Sequence, residues 1–136
     1  MFVRKRLRGR NVSFTVIQSV RTPAGPRQKV VASWSTPVEP GGYFWCPSVA
    51  GALEAAEGKA ARYQQRAGYW RAALEASNHP RVVFVPTIGR TMHISREVAS
   101  RKVAKLDRQA GAEAARCEGL RAVLAEIGNW TWDGAT

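Results

Sequence analysis

Two long stretches of this chain repeat small or apolar residues at alternating four- and three-residue spacing. A helix satisfies that period and a strand does not. In residues 48–77 the stripe runs through Val49, Leu53, Ala56, Ala60, Tyr63, Ala67, Trp70 and Leu74. In residues 95–127 it runs through Ala99, Val103, Leu106, Ala110, Cys117, Leu120, Leu124 and Ile127, interrupted at Glu113. Ser48 and Ser95 stand where N-caps belong, and Gly128 where a C-cap belongs. Stripes rich in alanine let two helices approach closely, so an antiparallel helical hairpin is expected. Ala60→Leu or Ala110→Leu would overpack such a seam.

Ahead of these helices the period changes to two. From Val12 to Val20, Val12, Phe14, Val16 and Val20 alternate with Ser13, Thr15, Ser19 and Arg21, with Ile17 out of step. The run Thr22-Pro23-Ala24-Gly25-Pro26 is a turn signal, because Pro presets φ and Gly permits positive φ. From Arg27 to Trp34 the alternation resumes and assigns Arg27, Lys29 and Ser33 to one face, opposite Val30, Ala32 and Trp34. Phe2–Leu7 is a candidate third strand. Three Pro and two Gly in residues 35–47 exclude a helix or a central strand there. Residues 82–85 form a short β-branched run closed by Pro86.

The expected fold class is therefore α+β: a small antiparallel N-terminal β-sheet of two or three strands packed with a long antiparallel helical hairpin. The expected division is a basic β-hairpin module at 1–36 and a Pro/Gly/aromatic linker at 37–47. The helical hairpin with its short β or loop connection follows at 48–136, forming one compact unit with the β-hairpin.

Charge narrows the function. The first 38 residues hold eight Lys or Arg and no Asp or Glu, so they account for +8 of a formal +11. Lys and Arg neutralise phosphates and release counterions, and an acid-free strand segment suits a polyanion. The candidate contacts are Arg4, Lys5, Arg6, Arg8, Arg10, Arg21, Arg27 and Lys29. A second basic stretch, 79–108, has seven Lys or Arg against two acids. It adds Arg96, Arg101, Lys105 and Arg108. The consecutive Tyr43, Phe44 and Trp45 are either an apolar plug under the sheet or a stacking platform for bases.

Catalysis has little to build on. The only two Asp, Asp107 and Asp133, are far apart in sequence, and His79 and His93 lack metal-ligand spacing to each other or to Cys46 and Cys117. Gly41-Gly42 is a turn and not a phosphate loop. No catalytic residue, metal or cofactor is expected. No apolar run reaches the roughly 20 residues of a membrane span, and no apolar segment follows the basic start as in a secretory signal. A cytoplasmic, membrane-free protein with buried thiols is expected.

The segment FTVIQSVRTPAGPRQKVVASW, Phe14–Trp34, together with the start Met1–Arg4, is similar to the N-terminal hairpin of one group of DDE insertion-sequence transposases. The matching elements are Met1–Arg4, Val12–Arg21 and Arg27–Val31, about a quarter of the chain. In that family a catalytic domain with three acidic residues follows. The resemblance thus implies a DNA-contact module from a mobile element or phage, without transposase activity. The stretch TIGRTMHISREVASRKVAKL, 87–106, resembles a helix-turn-helix through Ile88, Gly89, Met92, Ile94 and Ser95. That likeness implies that Arg96, Glu97, Ser100 and Arg101 face the major groove. The other reading of these residues is that Ser95 caps the second long helix and Arg101, Lys105 and Arg108 form its solvated stripe.

The expectation is a non-enzymatic nucleic-acid-binding protein, with DNA as the nucleic acid and a homodimer through the helices open to it. Two alternatives stand beside it. One is a protein-interaction module, such as an inhibitor docking on a nucleic-acid-binding enzyme or defence complex. The other is an RNA-binding protein.

Overall fold

A computed structural model describes residues 1–87 and 89–134. The described residues form, in order, β1 (Phe2–Arg8), β2 (Asn11–Thr22), β3 (Gly25–Pro37), α1 (Val49–Ala76), β4 (Val82–Thr87), β5 (Arg90–Ser95) and α2 (Arg96–Ile127). The fold is α+β, with β1-β2-β3 an antiparallel sheet, β4-β5 a separate two-stranded one, and both long helices in place. Among these residues no helix is long and apolar enough to cross a membrane.

The residues cluster into two compact units. One comprises Met1–Glu57 and Ala114–Thr136, the other Gly58–Glu113. Both helices run through both units.

In the first unit one side of the sheet is closed by the start of α1, the end of α2 and the tail. Val12, Phe14, Val16, Ala32 and Trp34 bury against Val49, Ala52, Ala56, Cys117, Leu120, Val123 and Trp132. Phe14 is the hub of an aromatic cluster, with ring centroids 5.2 Å from Trp34, 5.1 Å from Trp130 and 5.6 Å from Trp132. The tail is pinned by backbone bonds: Val49 N donates to Trp130 O at 3.0 Å, and Trp132 N donates to Pro47 O at 2.9 Å. Ser48 caps α1 by accepting from Gly51 N at 3.1 Å. The C-cap glycine is also as read: Gly128 has φ of 76° and its N donates to Leu124 O. Ile127, placed on the helix stripe by its spacing, is 36% exposed, while Val123, off that stripe, is fully buried.

The β2–β3 turn falls where the Pro/Gly cluster put it, with Gly25 at φ of 110°. The faces of β3 differ from the simple alternation. A bulge shifts the register between Val16↔Ala32 and Ile17↔Val30, leaving Val31 as an extra residue. An extra residue reverses the facing of everything beyond it. Lys29 and Arg27 therefore share the side of Ala32 and Trp34, and Val30 joins Ser33 on the outer side. Arg21, opposite Pro26, lies on the outer side, away from Arg27 and Lys29.

At the same bulge α2 crosses β3 closely. A Cβ built on Gly119 would lie 2.2 Å from the Val31 carbonyl oxygen. Only a residue without a side chain fits there.

The second unit has its own small core of Val83, Val85 and Ala99, with Trp70, Leu74, Met92 and Ile94 packed on it. Ser95 caps α2, accepting from Val98 N at 3.1 Å. The helices are antiparallel here, with Arg71 on α1 paired to Asp107 on α2. Ala67 and Ala110 are buried, at 0% and 7% exposure. Ala110→Leu should destabilise the protein by about 1–3 kcal/mol through overpacking. A thermal melt at wild-type temperature would show that 110 is not on the seam.

The helix-turn-helix expectation is corrected here. It needs a helix ahead of Ser95, and the chain instead forms the β4–β5 hairpin. The β-branched Val82, Val83, Val85, Thr87, Thr91 and Ile94 favour strands. Gly89, at φ of 82°, sits in the turn. Ile88, one of the residues of that resemblance, lies outside the described residues.

Candidate nucleic-acid interface

The outer side of the three-stranded sheet carries a regular pattern that follows from register alone. Opposed residues share a face, and alternate residues along a strand share it too. Arg4 stands opposite Thr15, and Thr15 opposite Ser33. Arg6 stands opposite Ser13, and Ser13 opposite Ser35. Each is a row of one guanidinium and two hydroxyls running across the sheet. Arg8 opens a further row with Asn11.

These rows floor a groove of about 390 Å³ lined by Arg4, Arg6, Arg8, Ser13, Thr15, Ser33 and Ser35, together with Ile17, Val30 and Trp34. Arg116 of α2 reaches the same groove. Among the described residues, four arginines and four hydroxyls line it and no carboxylate does. The arginines on β1 repeat about every 6.8 Å, two strand residues apart. Arg4 Nη2 also donates to Gln28 Oε1 at 3.5 Å. Guanidinium forks and hydroxyl donors facing one cavity are suited to phosphate oxygens, which accept paired hydrogen bonds.

The structure divides the sequence-predicted contacts. Arg4, Arg6 and Arg8 come together. Lys5, opposite Phe14, is on the core side, with Nζ 5.9 Å from the centre of the Trp132 ring. A basic strand cannot present consecutive residues to one ligand, because its side chains alternate. Arg10 lies beyond the β1 strand end and lines a different recess with Leu7, Val38 and Glu39. Arg21, Arg27 and Lys29 are exposed on the part of the β2–β3 ribbon that extends past β1.

The aromatic triplet does not line the groove. Tyr43 and Phe44 are 86% and 66% exposed and stack edge-on at 4.2 Å. Trp45 is half-buried. The plug reading thus fails for Tyr43 and Phe44, whose loop turns them outward. Phe44 has φ of 64°, a conformation that costs a residue with a side chain about 1–3 kcal/mol.

In the second unit, the predicted basic helix start does something else. Arg96 is half-buried, and its guanidinium donates to the carbonyls of Leu74, Ser77 and His79 at 3.0–3.3 Å. It satisfies the Leu74 carbonyl in the last turn of α1 and the Ser77 and His79 carbonyls just beyond it, and is not turned toward a ligand. Arg101 pairs with Glu97 one turn away. Lys105 lines a groove with Arg66, Lys102, Tyr63 and Trp70, where Lys102 Nζ is 5.3 Å from the Trp70 ring centre. Arg108 is exposed on α2 outside that groove. His79 is structural: its Nδ1 accepts from the Arg81 and Val82 backbone amides at 3.1 Å.

Sequence reasoning missed Ser13, Thr15, Ser33, Ser35 and Arg116. The alternating hydroxyls on two adjacent strands were a readable signal. Arg116 left none, since its position depends on where α2 crosses the sheet. Comparison with protein-family models, curated proteins and solved structures returned no match.

Proposed function

We propose that this protein binds nucleic acid, DNA in the first instance, without acting as an enzyme, and that the arginine–hydroxyl groove of the N-terminal sheet is its phosphate-contact surface. The observation that supports this best is the lining itself: among the described residues, four guanidiniums and four hydroxyls with no carboxylate. Clustered cations favour an anionic ligand, and the repeated Arg4, Arg6 and Arg8 at strand spacing suit a repeating anion. Origin in a mobile element or phage and a cytoplasmic location belong to the same proposal.

The test is salt dependence. With four phosphate contacts, the logarithm of the binding constant should fall against log salt with a slope of about −3 to −4. A fluorescence-anisotropy titration from 50 to 300 mM NaCl measures it. A flat response, or no binding at low salt, removes the groove as a phosphate site.

The exposed Tyr43–Phe44 pair favours a second reading, a protein-docking module. Recovery of one stoichiometric protein partner after nuclease treatment, lost in Tyr43→Ala with Phe44→Ala, would support it.

A further inference from the structure

The groove has a feature that phosphates alone do not use. Next to the row of Arg4, Thr15 and Ser33 lies an apolar row on the same outer face: Phe2 opposite Ile17, and Ile17 opposite Val30. Ile17 is 2% exposed, between neighbours that remain 45% and 59% exposed at Phe2 and Val30. This is why Ile17 broke the alternation of β2: it faces outward by register and is nonetheless buried. Ile17 and Val30 line the arginine groove directly. The groove therefore passes from Arg8, Arg6 and Arg4 to two aliphatic side chains, and Phe2 adjoins them in the same cross-strand row.

Resting on the nucleic-acid reading above, we infer that the occupant of this groove is single-stranded DNA, with its phosphates along Arg4, Arg6 and Arg8 and a base against the exposed Phe2 and Val30. A double helix keeps its base faces inside the stack and offers a protein only base edges and phosphates. An apolar step beside an arginine row would meet sugar and phosphate there. A single strand exposes a flat apolar face on every base, and stacking on an aromatic side chain is the usual way such strands are held. Shape agrees. A two-stranded ribbon can enter a major groove, but this is a recess of about 390 Å³ on a three-stranded sheet. A recess of that scale has room for one nucleotide. The spacing of Arg4, Arg6 and Arg8, about 6.8 Å, lets successive phosphates engage successive arginines. The choice of DNA over RNA is carried over from the functional proposal above.

The experiment uses the full chain and four fluorescein-labelled probes of equal length: a mixed-sequence DNA strand, its duplex, the same strand with abasic sites, and the RNA strand. Expected is at least a tenfold preference for single-stranded DNA over duplex, and a loss of about 5- to 10-fold on removing the bases. Phe2→Ala, at an exposed edge-strand position, should reproduce the loss on the normal strand and leave abasic affinity unchanged. Duplex binding as tight as the single strand, or abasic DNA as tight as the normal strand, overturns this inference while leaving nucleic-acid binding intact. RNA binding tenfold tighter overturns the choice of DNA. Failure of all four probes overturns the functional proposal itself.

Discussion

Gly119→Ala is expected to lower the melting temperature by roughly 7 °C, a loss of about 2 kcal/mol for a chain of this size. Helix propensity alone predicts the opposite. Alanine is favoured over glycine inside a helix by about 1 kcal/mol. At Gly119 the new methyl would sit 2.2 Å from the backbone oxygen of Val31, a distance no carbon can occupy. A flexible side chain could rotate away, but a carbonyl in a β-bulge cannot. Either α2 lifts from the sheet or the bulge distorts, and both disturb the contact that buries Leu120 and Cys117. Overpacking of this kind costs about 1–3 kcal/mol, occasionally more, and here it outweighs the propensity gain. Gly111→Ala is the matched control. It lies on the same helix, and its added Cβ meets nothing within 4 Å. It should stabilise by about 0.5–1 kcal/mol. Opposite signs for the two substitutions, measured by thermal or urea unfolding, are the expected result. A stabilised Gly119→Ala would mean that α2 does not cross β3 at Val31.

The second large effect is on binding. Arg4→Glu combined with Arg6→Glu should weaken nucleic-acid affinity on the order of 100-fold at low salt, and the salt slope should shrink by about two. Arg27→Glu with Lys29→Glu changes net charge by the same amount, but those residues lie on the other side of the sheet. Its effect should be several times smaller. Equal losses in the two double variants would show that total charge, and not the groove, sets affinity. All four positions are solvent-exposed, so circular dichroism should show both variants folded.

Much of the architecture was legible because it depends on neighbours in sequence. Ser48, Ser95 and Gly128 act as helix ends through bonds to residues three or four positions away. The turn before Gly25 follows from local φ preferences. The Phe14 and Val16 faces follow from the two-residue period of a strand. The same local logic failed where one extra residue entered a strand. The bulge at Val31 moved Arg27 and Lys29 to the side of Trp34, and nothing in their own spacing announced it. It also failed at 82–95, where apolar residues around a glycine were compatible with either a helical motif or a hairpin.

The candidate site shows the same division. An acid-free basic arm was visible as composition, and composition cannot say which cations meet. Pairing across the sheet selected Arg4, Arg6 and Arg8 and turned Lys5 toward Trp132. The end of α1 engaged Arg96, because helix carbonyls without partners draw the nearest guanidinium. The crossing of α2 over β3 brought Arg116 to the groove. Element type, helix ends and the excess of positive charge were thus set by residue chemistry acting over a few positions. Which charges share a surface, and that an apolar row adjoins them, was decided by strand register and helix packing, because those join residues far apart in the chain.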